Sequence, residues 1–239
     1  MTFLYSIAQK WQSTILPEKF TFIWYKALFQ DVRFWNAIAR SFIVSIISVL
    51  FSLIVMIPTV FIITVYYRKL EKFLNLVSMI PFAIPGVVYA VGLLKIYTKG
   101  PVKIAGTIWI LIGAYFIIVL PYMFQGIRNC LATIDAKKLL EAAELLNATK
   151  FQAFIYVILP NIIKGITVSA LLAFSILFGE FVLANLLVGG AYETVQIYLF
   201  TKQNVSGHLC NAIVIVYFIC VLILSLMTTK VNRLINKVS

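Results

Sequence analysis

Leu139-Leu140-Glu141-Ala142-Ala143-Glu144-Leu145-Leu146-Asn147-Ala148, closed downstream by Leu159-Pro160, is the one sizeable polar segment lying between two long apolar runs of this chain. A structured polar segment between apolar runs is expected to be a docking surface. It directs attention to a partner outside the apolar phase.

The rest of the chain sets that phase. Of its 239 residues, 62% are hydrophobic and 12% charged, and the mean hydropathy is +1.01. A soluble domain carries about a quarter charged residues. Uncharged runs occupy Ser41 to Tyr67, Phe73 to Leu94, Ile104 to Ile127 and Val205 to Thr229. A fifth begins at Gly165 and is interrupted only by Glu180. A helix needs roughly 20 apolar residues to cross the hydrocarbon core. Lipid offers no partner to unpaired backbone groups, so helices are the natural spanning form. A transmembrane barrel shows short alternating strands instead, and no such alternation is visible. The expected fold is all-α, a polytopic membrane helix bundle with five spans.

The net charge of +12 does not point to nucleic acid, because the basic residues sit at the ends of runs and not on one face. Arg68, Lys69 and Lys72 follow the first span. Arg128, Lys137, Lys138, Lys150 and Lys164 lie in the long polar loop, and Lys230, Arg233 and Lys237 end the chain. With five spans these regions share one side, which the positive-inside rule makes cytoplasmic. Lys95, Lys99, Lys103 and Lys202 fall on the other side, so the bias is not clean. Residues 1–40 are aromatic-rich (Trp11, Phe22, Trp24, Tyr25, Phe34 and Trp35 among them) and broken by Lys10, Lys19, Lys26 and Arg33. Amphipathic aromatics favour the headgroup level, so this segment is expected to be interfacial and residues 41–239 to form the transmembrane domain. No cleavable signal peptide is apparent at Met1 to Lys10. Cys130, Cys210 and Cys220 have no spacing suited to a metal or a redox pair.

The loop of about residues 128–164 reads residue by residue. Asp135 or Thr133 is placed to cap a first short helix. Leu139, Leu140, Ala143 and Leu146 recur at helical spacing, and Glu141 and Glu144 share a neighbouring face. Asn147 tolerates a left-handed backbone better than other non-glycine residues, so it is expected to turn the chain. Thr149-Lys150-Phe151-Gln152 fits a capping box. Phe151, Phe154, Ile155 and Ile158 then make an apolar stripe, and Pro160 is expected to end that helix by disfavouring helix at Leu159.

At these residues the chain resembles the permease subunit of bacterial binding-protein-dependent ABC importers, of the type I fold. The family carries a cytoplasmic loop of Glu-Ala-Ala, three residues, Gly, then about a dozen residues to an apolar-Pro end. Glu141-Ala142-Ala143 and Leu159-Pro160 match it in identity and spacing, with Asn147 in place of Gly. Ile80-Pro81-Phe82-Ala83-Ile84-Pro85-Gly86 is similar to the Pro-rich opening of a pathway-lining helix. Phe178-Gly179-Glu180-Phe181 and Thr194-Val195-Gln196-Ile197-Tyr198 are similar to later segments of the family. The likeness covers roughly residues 15–235. It implies that the loop forms coupling helices seated on a separate ATPase subunit, with contacts from Glu141, Ala142, Ala143, Leu146, Asn147, Ala148 and Pro160. It further implies a second permease subunit, as a homo- or heterodimer, and an extracytoplasmic substrate-binding protein. The setting is the bacterial cytoplasmic membrane, surrounded by lipid. Permeases for polyamines, ferric iron, thiamine or phosphonates look more similar than those for sugars. Family members usually have six spans, one more than is counted here.

The chain carries no phosphate-binding loop, since no Gly-Lys-Ser/Thr ends a glycine-rich turn. It therefore holds no cofactor of its own, and ATP is expected on the partner. Catalytic and metal-binding residues are likewise not expected, and the chain is not expected to be an enzyme. A membrane-embedded phosphotransferase needs clustered carboxylates, and of the eight acidic residues only Glu141 and Glu144 lie within three positions of each other. A His-Glu-x-x-His protease is ruled out by the single histidine. His208 is read as interfacial. The competing readings are a channel, or a membrane enzyme with no ATPase partner. Pro81, Pro85 and Gly86 break the second span, where freed carbonyls line a cavity or the chain is merely kinked. Glu180, an ionisable group at depth, lines the pathway, pairs with a partner subunit, snorkels, or is hydrogen-bonded structurally.

Overall fold

A computed structural model describes residues 1–11 and 17–238, with side chains described except at 164 and from 227 onward. Lys164, Lys230, Arg233 and Lys237, read above as topogenic, lie outside the described side chains. The helices run α1 (Thr2–Ile7), α2 (Ile23–Gln30), α3 (Val32–Tyr66), α4 (Arg68–Ala83), α5 (Gly86–Lys99), α6 (Ile108–Thr133), α7 (Ala136–Leu145), α8 (Lys150–Ala153), α9 (Leu159–Phe178), α10 (Val182–Leu187), α11 (Val195–Lys202) and α12 (Gly207–Val238). A π-turn, Phe154–Ile158, joins α8 to α9, and a 3₁₀ turn, Gly189–Tyr192, follows α10.

Among the described residues, three helical stretches are long and apolar enough to span alone: Val32–Tyr66, Ile108–Thr133 and Gly207–Leu226. Two bent helix pairs, Arg68–Ala83 with Gly86–Lys99 and Lys150–Ile163 with Gly165–Phe178, bring the number to the expected five when each is counted as one span. The second span is more than kinked. It breaks at Ile84–Pro85 with a bend of 101°. Pro85 cannot donate a backbone N–H and pushes Ile84 out of the helical region (φ −104°, ψ 120°). By contrast, α3 and α6 run on through Pro58 and Pro121.

The first span begins earlier than the uncharged run. Asp31 Oδ1 accepts the Arg33 backbone N–H at 2.8 Å, capping the helix one residue before Val32. Residues 32–40, expected to belong to an interfacial segment, are therefore the opening turns of α3.

The chain divides into two compact units. The first comprises Met1–Val44, Ala90–Leu111 and Phe178–Met227. Its polar frame joins residues far apart in sequence. Tyr198 Oη and Lys202 Nζ donate to Asp31 Oδ2 at 2.7 and 3.1 Å. Arg33 pairs with Glu193 at 2.8 Å, and the Val195 N–H donates to Ser41 Oγ at 2.8 Å. The Asp31 carboxyl is pushed up by burial, but the bonds from Tyr198, Lys202 and the Arg33 backbone outweigh this and hold it below the ordinary aspartate range. His208 stacks on Tyr5, with ring centroids 4.2 Å apart, and its Nδ1 lies 2.8 Å from the Tyr5 carbonyl oxygen.

The second unit comprises Ser45–Tyr89, Ile112–Leu177 and Thr228–Ser239. Here α6 and α9 approach closely. A Cβ added at Gly126 would lie 1.8 Å from Ser169 Oγ, and one at Gly165 2.2 Å from Cys130 Sγ. Small residues at such crossings are how spanning helices gain packing without a hydrophobic driving force. Gln125 donates to Asn75 at 2.9 Å, and Arg128 pairs with Glu71, tying α6 to α4.

Candidate functional site: the α7–α8 hairpin

The hairpin is built from local rules. Asn147 lies in the left-handed region at φ 66°, as its residue type predicted. Its N–H donates to the Glu144 carbonyl at 2.9 Å, and the Ala148 N–H donates to the Ala143 carbonyl at 3.1 Å. This pair of bonds is a Schellman closure. Two residues on, Thr149 and Gln152 form the predicted capping box: the Gln152 N–H donates to Thr149 Oγ1 at 3.3 Å, and Gln152 Oε1 accepts the Thr149 N–H at 2.9 Å. One helix is closed and the next opened within six residues.

The expected cap of α7 does not form. Asp135 occupies the N-cap position in a left-handed conformation (φ 47°, ψ 59°), with no side-chain bond to the helix. Its carboxylate pairs with Lys138 at 2.6 Å, which holds its carboxyl below the ordinary range. Thr133 Oγ1 bonds back to the Asn129 carbonyl. Pro160 does not end the second helix either. The π-turn widens the backbone just ahead of it, and the helix continues to Phe178. A π-turn removes the i−4 bond that proline cannot make.

The apolar stripe also splits differently from the expected one. Leu140, Ala143 and Ala153 are buried together, with Val65, Ala148 and Val157 packed on them. Leu146, placed in the stripe by periodicity, is 84% exposed, beside Leu145 at 89%. Leu146 is already past the last helical residue, so it leaves the buried face. Ala143 is 6% exposed, so its small side chain serves the hairpin's own seam. Glu141, Ala142, Glu144 and Asn147 are exposed, and Ala148 is half-buried. Among the described residues, the Glu141 carboxylate pairs with Lys137 Nζ at 3.9 Å. That is beyond hydrogen-bond range, so the carboxylate is held loosely. The exposed residues of α7 and its turn thus offer two carboxylates, Glu141 and Glu144, one small residue and two leucines.

The residues named for the pathway fall in different compact units. Pro81 and Gly86 line an apolar cavity of about 480 Å³ with Ile80, Phe82, Tyr89 and Tyr122. Pro85 sits in the break itself. Glu180 belongs to the other unit, and its carboxylate accepts the Leu183 N–H at 2.9 Å and the Ala184 N–H at 3.0 Å. It closes the N-terminus of α10. Of the readings left open, structural hydrogen bonding is the one the geometry displays. Sequence reasoning missed the Asp31–Tyr198–Lys202 cluster, whose members are too far apart in the chain to form a local pattern.

The family described as "Binding-protein-dependent transport system inner membrane component" matches residues 37–237. The permease protein PhnV of Salmonella typhi, assigned to a 2-aminoethylphosphonate transport system, is 25% identical over 224 residues, covering 92% of this chain and 84% of its own. The spermidine/putrescine transport system permease protein PotC of Escherichia coli (strain K12) is 24% identical over 220 residues, covering 91% and 80%. Among solved structures, a chain of a bacterial ABC transporter for alginate import superposes with a TM-score of 0.72 at 18% identity, covering 96% of this chain and 86% of that one. A chain of the inward-facing MetNI methionine ABC transporter gives 0.65 at 16% identity, covering 82% and 93%. At these identities the structural likeness speaks to the fold alone.

Proposed function

The chain belongs to the binding-protein-dependent transport system inner membrane component family, and from that premise we propose that its α7–α8 hairpin is the surface through which a separate ATPase drives transport. The chain is the permease component of an ABC importer, a multi-pass protein of the bacterial inner membrane. The finer assignments are our reading. The hairpin faces the cytoplasm and seats in a groove of an ATPase subunit. ATP binding and hydrolysis occur there, because this sequence has no glycine-rich phosphate loop. A second permease subunit completes the pathway, and an extracytoplasmic binding protein delivers the cargo.

The observation that supports this reading is the exposed outer face of a hairpin whose turn is closed by backbone and capping hydrogen bonds. Leu145 and Leu146 present exposed apolar surface that a partner would remove from water. The loosely held Glu141 carboxylate is placed to accept hydrogen bonds from the partner. Asn147 and Ala148 fix the turn, Ala143 packs beneath, and Pro160 marks the exit into α9. Pro81, Pro85 and Gly86 shape the pathway side, and Glu180 holds the break after α9.

For cargo, the named relatives give two directions: an aminophosphonate for PhnV and polyamines for PotC. All three named solutes carry a protonated amine. We place the cargo in that class of small amine-bearing solutes. Co-expression with the neighbouring ATPase and purification in mild detergent tests the reading. A stoichiometric, ATP-hydrolysing complex supports it, and a chain that purifies free of any ATPase overturns it.

A further inference from the structure

The hairpin reaches the membrane helices by two routes of different stiffness. One is covalent and runs through α8, the π-turn and α9. The π-turn interrupts the i−4 ladder immediately before Pro160, which has no N–H to restore it. Such a stretch yields under rotation. The other route is lateral. Phe154 packs against Phe61 of α3 with ring centroids 4.6 Å apart and the rings tilted by 38°, and Phe61 is buried. Val65, one turn further along α3, packs on the Leu140–Ala143–Ala153 seam. Lys150 Nζ lies 5.0 Å from the centroid of the Tyr66 ring at the end of α3, within cation–π range. All of these contacts lie inside one compact unit. They join the end of the first span to both limbs of the hairpin. Packed side chains of this kind hold one arrangement and do not deform continuously.

We propose that α3 is the principal output of the hairpin. Phe61, Val65 and Tyr66 are positioning residues that make the cytoplasmic end of the first span move with α7 and α8, while the π-turn lets α9 follow at a different angle. The inference rests on the functional reading above for what moves the hairpin, but not for the stiffness of the link. It also gives Ala143 and Ala153 their role: a larger side chain at either position would wedge α3 away from the hairpin.

Paired spin labels test this on the intact complex, with Cys130, Cys210 and Cys220 changed to Ala. One pair joins Lys138→Cys on α7 to Tyr67→Cys after α3. The other joins Lys138→Cys to Val168→Cys on α9. All three positions are exposed. Trapping with ATP and vanadate should leave the first distance fixed and shift the second by more than the ~1–2 Å of an ordinary helix adjustment. The reverse pattern, with the first pair separating and the second fixed, overturns the proposal. A second arm needs no nucleotide or ATPase. In the resting protein, Phe61→Ala should broaden the 138–67 distribution, and Phe61→Tyr should restore it. An unchanged distribution in Phe61→Ala shows that the link is not mechanical. Failure to trap nucleotide in the unaltered complex counts against the functional reading and leaves the second arm to decide the inference.

Discussion

Gly126 of α6 lies so close to Ser169 of α9 that a side chain on the glycine would overlap the serine hydroxyl, at 1.8 Å from Oγ and 2.6 Å from Cβ. The contact makes the two helices a matched pair. Gly126→Ala should therefore lower the melting temperature in detergent, since overpacking costs about 1–3 kcal/mol. Ser169→Gly in the same chain should recover most of the loss. Thermal unfolding of the three variants in a double-mutant cycle checks this, and additive effects would contradict it.

Asn147 offers a sharper local test. Its backbone sits at φ 66°, where a β-branched side chain is penalised by roughly 1–2 kcal/mol. Asn147→Gly should leave stability unchanged or raise it slightly. Asn147→Val should destabilise the hairpin by about that amount, read as faster proteolysis near residues 145–149. Equal behaviour of the two variants would show that the turn does not need the left-handed conformation.

Much of this hairpin is legible in sequence because its determinants are short-range. Asn147 and the Thr149–Gln152 pair act within four residues, so residue type and spacing suffice. The five apolar runs are legible for a similar reason: length and composition alone set the cost of crossing lipid. Pro160 misled because its helix-breaking tendency is local, whereas the π-turn that accommodates it runs through packed residues such as Ile158. Leu146 misled because periodicity does not say where a helix stops. The Asp31 cluster was invisible, since its partners come from the other end of the chain and no local pattern announces them.

The Asp31 cluster predicts an acid-sensitive frame. Because Asp31's folded pKa lies below its ordinary value, its stabilisation is present above about pH 4, the unfolded aspartate range, and is lost as pH falls through the lower folded value. Between pH 6 and 8 that stabilisation is fully present, so this group should add no pH dependence to the melting temperature. Asp31→Asn should cost about 1.5–3 kcal/mol at neutral pH, the scale of a hydrogen bond to a charged group, and should flatten the acid limb of the stability curve. An unchanged acid limb would contradict the assignment.

Glu180 gives the fourth prediction. Its carboxylate serves the backbone of α10, so Glu180→Gln, which keeps one acceptor oxygen, should be tolerated better than Glu180→Ala. Loss of a helix N-terminal acceptor costs about 0.5–2 kcal/mol. If both variants fold equally well but fail equally in transport, the carboxylate acts on the pathway and not on the helix.

The outer face of α7 carries the central claim. Glu141→Ala should leave insertion and folding intact, because Glu141 is exposed and only loosely paired, yet weaken ATPase capture by about tenfold, the effect of ~1.4 kcal/mol. The most direct measurement is a crosslink. A photoreactive group at Leu145, in a chain stripped of its native cysteines, should capture a protein bearing a glycine-rich phosphate loop when inside-out membrane vesicles are illuminated. Capture only from the outer face, or no such adduct from correctly inserted protein, would contradict the account.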